Sequence, residues 1–293
     1  MSASPVLWQR RFLALVGNTL TDLTRQRVFY FALIFAFLLI ASSVFMAQFS
    51  FQQEFQILKD VSLGAMSMVT SLLAVVATAR LLPQDVEDRT VYTILSKPVP
   101  RFTYLLGKLG GILLLLALST LLMTAMFFAV LYLREQTVLG ETAREMASAP
   151  REELEAALRA VQQSAFNLDL VPAIATIYLK AMVLAALTLF VSTFATTNLF
   201  TVVVMVFVYF IGHLQATARE YWLHSQGGGW LAQTFLAVVA LLFPDLQSFN
   251  LIDDAVAGTA IPLALFGKTV LLGLFYTIVY TLLGTVVFYG KEL

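Results

Sequence analysis

Few residues in this chain have the type and spacing for chemistry. There are two His, His213 and His224, and no Cys. No carboxylate cluster stands near either His at ligand spacing, so a structural or interfacial role outweighs metal binding, and no metal site is expected. Gly267, Lys268 and Thr269 mimic the tail of a phosphate-binding loop. Pro262 stands where the first Gly of such a loop must be, and the setting is an apolar run, so the match is chance. The chain is therefore expected to hold no nucleotide or other cofactor of its own. Lys180 and Lys268 are the only charges inside long apolar runs, apart from Arg80 at a boundary. A Lys at the bilayer centre costs about 2.5 to 3.5 kcal/mol on insertion scales, which makes each a candidate for contact with a substrate or an anionic headgroup. Both fall in the outer third of their runs, where a four-carbon stem can instead snorkel to the headgroups. Neither faces an intramembrane Asp or Glu in the pattern, which argues against a proton relay and against an intramembrane enzyme.

The elements that would position these residues follow from composition. Of the 293 residues, 59% are hydrophobic and 12% are charged, about half the charge of a soluble domain, so the bilayer is the solvent. Eighteen basic residues balance eighteen acidic ones, which removes the electrostatic case for nucleic acid. Crossing about 30 Å of hydrocarbon takes about 20 apolar residues. Runs of that kind predict an all-α polytopic membrane protein with six spans, at about 28–48, 61–82, 107–133, 171–195, 199–215 and 261–289. The fourth and fifth share one charge-free stretch broken by Ser192, Thr193, Thr196, Thr197 and Asn198. The run Trp230–Phe243 is too short to cross, is framed by Gly227–Gly229 and Pro244, and reads as re-entrant within 230–252.

Both termini are expected in the cytoplasm. Ten Lys or Arg then lie on the inner side (residues 10, 11, 25, 27, 80, 89, 97, 101, 108 and 291) and six on the outer side (59, 134, 144, 151, 159 and 219), as the positive-inside rule requires. Before the first span, Trp8, Phe12, Leu15, Val16, Thr19 and Leu23 recur at helical spacing and predict an interfacial elbow helix. Gly107 and Gly111 form a small-xxx-small pair, and Gly273 and Gly284 are further packing candidates. In the outer loop 134–170, Pro150, Glu152 and Glu153 mark a helix start, and Leu154, Leu158 and Val161 give that helix one apolar stripe. It reads as an amphipathic lid over the third and fourth spans or as a dock for an extracytoplasmic accessory protein. The whole chain is one domain.

The inner loop between the second and third spans reads LPQDVEDRTVYTILSKPVPRFTYLLGK from Leu82 to Lys108. Pro83 is expected to end the second span, and Lys97 to Pro100 to stop a short amphipathic helix over about 84–96. Such a helix, fixed by Pro at both ends, is either a rigid lever between two spans or a plain interfacial linker.

Glu87, Thr90, Leu95, Ser96, Pro98, Arg101, Gly107 and Lys108 in that order resemble the signature of ABC-2 type transporter permeases. The branch most resembled is the six-helix permease of the nitrous oxide reductase maturation system and its bacterial relatives. The elbow, Gly212 with His213 ending the fifth span, and the re-entrant pair before the sixth (Pro244, Asp245, Leu246, Phe249, Asn250, Leu251) extend the likeness over nearly the whole chain. The outer insertion 134–169 departs from a minimal member. The resemblance implies a half-transporter in the bacterial inner membrane, paired with a second permease copy or a paralogue. A cytoplasmic ATPase subunit would carry ATP and Mg, so the chain itself is not an enzyme. Glu87, Arg89 and Thr90 would make polar contacts with it, while Tyr92 and Leu95 pack and Pro98 closes the coupling helix. Arg101 belongs to the same ATPase-coupling set, with contact to inner anionic headgroups as the alternative for it and for Lys108. A membrane scaffold that links the ATPase to an outer partner without moving cargo is the alternative. The cargo itself is not readable from this architecture.

Overall fold

The computed structural model describes residues 5–48, 53–87, 100–224, 234 and 243–290. All regular structure among them is helical: α1 (Pro5–Thr24), α2 (Arg27–Gln48), α3 (Glu54–Glu87), α4 (Arg101–Glu145), α5 (Arg151–Ala165), α6 (Leu170–Phe194), α7 (Asn198–His224), a 3-10 turn (Leu246–Phe249), α8 (Ile252–Ala257) and α9 (Leu263–Gly290). Among the described residues, five helical stretches are long and apolar enough to cross a membrane, and a sixth if α1 and α2, bent by 63° to each other, count as one broken span.

α6 is the hub. Apolar on all sides, it is buried along nearly its whole length, as expected of a helix enclosed by others. α3, α4, α7 and α9 all pack on it. Where α9 meets α6 the buried face is small and hydroxylated, with Gly273, Thr277, Thr281, Gly284 and Thr285. Thr277, Thr281 and Thr285 donate to the carbonyls of Gly273, Thr277 and Thr281 at 2.8, 2.6 and 2.8 Å, so no hydroxyl of this row lacks an acceptor. A Cβ at Gly284 would lie 3.5 Å from the Phe190 Cα, ordinary van der Waals contact, so α9 packs close against α6 there. The faces turned away carry Phe207, Phe210 and Leu214 on α7 and Leu271, Phe275 and Val286 on α9, all exposed. In water these would be apolar patches; in a bilayer they are the lipid face.

The elbow docks on the predicted glycines. Val16, Thr19 and Leu23 of α1 are buried, and α1 lies along the first turns of α4. A Cβ on Gly107, Gly110 or Gly111 would come within 2.6, 2.9 or 2.5 Å of Leu15, Val16 or Thr19, so these three positions form the groove that receives α1.

Several boundaries differ from the sequence expectation. α3 does not end at Pro83 but continues to Glu87. Leu81, Leu82 and Pro83 are buried and Asp85 is bonded to α4, so tertiary contacts hold the last turn despite the lost ladder bond. α7 likewise runs past Gly212 and His213 to His224. α4 extends beyond the apolar run to Glu145, a length of about 67 Å. With α5 packed on it, the extension occupies much of the expected outer loop. α5 begins after Pro150 with Glu152 and Glu153 in its first turn, as read from the sequence. The stretch 88–99, with most of the expected coupling helix, and nearly all of Trp230–Leu242 lie outside the described residues.

Candidate functional site

One end of the bundle gathers the charged residues that flank 88–99. The last turn of α3 presents Asp85, and the first turns of α4 present Arg101, Tyr104 and Lys108. Their i, i+3, i+7 spacing puts the three on one helix face. Lys108 Nζ lies 2.6 Å from Asp85 Oδ2, with the two side chains 4% and 15% exposed. The Tyr104 hydroxyl donates to the same carboxylate oxygen. Asp85 is thus held by a cation and a phenol in a largely dry setting, where charge-assisted bonds are strong and an unmatched charge is costly.

Arg101 ties the start of α4 to the end of α9. Its guanidinium donates to the carbonyls of Phe288 and Tyr289, each at 2.9 Å. Those are among the last carbonyls of α9, which have no partner within the helix. The same group sits 5.8 and 5.9 Å from the ring centres of Phe288 and Tyr289, and Tyr104 stacks on Phe288 at 5.9 Å. Both ends of the stretch between Glu87 and Pro100 are therefore anchored, one to α4 through Asp85, the other to α9 through Arg101.

The headgroup role expected for Lys108 does not hold, because the residue is 3% exposed and its ammonium is on Asp85. Arg101 directs one guanidinium nitrogen, Nη1, to helix carbonyls. Glu87 is exposed and lines a cleft of about 350 Å³ with Arg80, Gln84 and Asn198, where α3 meets the α6–α7 turn. Arg89, Thr90, Tyr92, Leu95 and Pro98 lie outside the described residues. Sequence reasoning missed Asp85 and Tyr104 as partners of Lys108. The i, i+3, i+7 row on α4 was a usable signal, but nothing in the pattern showed that a carboxylate across the loop would meet it.

Lys180 and Lys268 are not brought together. Lys268 is exposed in the first turns of α9. Lys180 does not snorkel: it is 5% exposed and donates to Ser67 Oγ of α3 at 2.5 Å, inside the bundle. Parallel packing of α3 and α6 puts Ser67 at its level and gives the ammonium an internal acceptor. His213 Nδ1 lies 2.9 Å from the Tyr209 carbonyl, with its ring against Tyr209. Among the described residues, no three His, Cys, Asp or Glu group together as metal ligands would.

Residues 13–293 match the model of the family described as ABC-2 family transporter protein, nearly the full length. The chain belongs to the ABC-2 transporter family. It is the membrane permease component of an ABC transporter, whose ATPase activity resides in a separate cytoplasmic subunit. No curated protein matches the chain. In this permease the residues that flank 88–99 are joined to α3, α4 and α9 by Asp85, Lys108, Tyr104 and Arg101.

Proposed function

We propose that the permease transmits ATP-driven motion through a coupling helix that follows α3, at about 88–96, and seats in a groove of the ATPase subunit. The bundle end that carries Asp85 then faces the cytoplasm of a bacterial cell, with both termini on that side, and two permease chains pair in the inner membrane. Glu87, Arg89 and Thr90 supply polar contacts to the ATPase, while Tyr92 and Leu95 fill its groove and Pro98 ends the helix. The observation that carries this reading is the double anchorage of the stretch. A shift of 88–99 pulls α3 and α4 through the Asp85–Lys108 pair and α9 through Arg101. ATP binding changes the contacts that the coupling helix meets, and that difference in free energy biases the arrangement of the spans. The transported substrate is then exported or otherwise translocated by the paired spans.

The test is co-purification. Gentle solubilisation of the tagged permease from its host is expected to recover an ATPase with a phosphate-binding loop and ATP hydrolysis in the complex. Leu95→Asp is expected to lower recovery of that subunit tenfold or more, since a carboxylate in an apolar groove leaves a buried charge without a partner. Intact permease that carries no ATPase in several mild detergents would sink the proposal.

A further inference from the structure

The end of the bundle opposite Asp85 holds a cavity of about 630 Å³ between the start of α3, the extension of α4, the end of α5 and the end of α8. Its lining has one cation, Lys59, which is 3% exposed. The ammonium donates to the Ser164 carbonyl at 2.7 Å. That uses one of its three donors, and among the described residues no carboxylate lies within ion-pair distance. Nearby Glu54 is neutralised by Arg134 at 2.7 Å. A second carboxylate in the lining, Glu141, is exposed on α4 and has no ion-pair partner among the described residues. Gln53, Gln56, Gln163 and Asn167 supply carboxamides.

A buried ammonium without a counter-ion is expensive unless something supplies one. The structural part of Lys59 is to cap the carbonyl end of α5, and that part leaves two donors over. Gln53, Gln56 and Gln163 both donate and accept, and Asn167, whose Oδ1 accepts from the Asp169 N–H at 3.0 Å, adds amide donors; together they match groups that also donate and accept. With one free cation and one free anion, the lining suits a neutral molecule that carries both charges.

We propose that this cavity binds a short zwitterionic peptide, its carboxylate on Lys59, its ammonium on Glu141 and its amides on the four carboxamide side chains. The site lies at the end of the permease away from the coupling helix, and its occupancy is measurable without the ATPase.

The experiment is equilibrium dialysis of the purified full chain in detergent micelles against radiolabelled trialanine, N-acetyl-trialanine and trialanine amide at low salt. Trialanine is expected to bind, and each blocked form to bind about tenfold or more weakly, as for loss of one partner of a desolvated charge pair. Lys59→Met is expected to weaken trialanine by a similar factor. Glu141→Gln, a change on an exposed helix face that leaves folding intact, is expected to make trialanine and N-acetyl-trialanine bind alike. Should Lys59→Met fail to fold, the Glu141→Gln comparison decides. No binding of trialanine, equal binding of the three probes to the wild-type chain, or an unchanged preference for the free amine in Glu141→Gln would overturn the proposal.

Discussion

Lys108 shows how a residue's role depends on what lies across a loop. In the sequence it is one of several cations on the inner side, with a stem long enough for headgroups. In the fold it is buried against Asp85, 23 positions earlier, and Tyr104 shares the same carboxylate. Replacement of Lys108 by Met leaves that carboxylate half-satisfied, and we expect a loss of about 3 kcal/mol, typical of a broken buried pair. Adding Asp85→Asn removes the unmatched charge and is expected to restore most of the stability without restoring the link. Thermal unfolding of the wild type and the two variants in detergent checks this; equal stability of Lys108→Met and wild type would mean the pair carries nothing. Lys180 teaches the same lesson from inside the bundle. Its depth in the run was readable, but its direction was not, because Ser67 on α3 becomes a neighbour only when two spans pack in parallel.

At the scale of elements, the sequence was most legible where periodicity and composition act alone. The spans near 28–48, 171–195 and 261–289 appear as α2, α6 and α9 within a few residues. The elbow stripe of Val16, Thr19 and Leu23 is the buried face of α1, and Gly107 and Gly111 are where it docks. Legibility failed where tertiary contact overrides a local rule, as when α3 passes through Pro83 and α7 passes Gly212. The glycine groove gives a prediction at this scale. A Cβ at Gly111 would sit 2.5 Å from Thr19 Cβ and 3.1 Å from the Val16 carbonyl, and backbone cannot step aside. Gly111→Val is therefore expected to displace α1 at a cost of about 1 to 3 kcal/mol. Limited proteolysis should then cut α1 faster, while Gly64→Val, where a Cβ meets nothing within 4 Å, leaves the pattern unchanged. Identical cleavage of the two variants would contradict the docking.

For the whole molecule, the family was legible from the ordered residues of the inner loop, and the match over residues 13–293 bears that out. The anchorage was not legible, because it joins the ends of three helices that are far apart in sequence: α3 at Asp85, α4 at Arg101 and α9 at Phe288. On the proposed function this joint carries motion from the ATPase into the spans. The protein has no Cys, so introduced labels are unambiguous. Gln136→Cys on α4, which is held in the joint, and Leu214→Cys on α7, which is not, are both exposed positions for a spin-label pair. The decisive measurement is the distance between these labels in the permease–ATPase complex with and without trapped ATP. The account predicts an ATP-dependent change in the otherwise wild-type chain, and loss of that change in Lys108→Met although the ATPase stays bound. An ATP-dependent change that persists unaltered in Lys108→Met would contradict it.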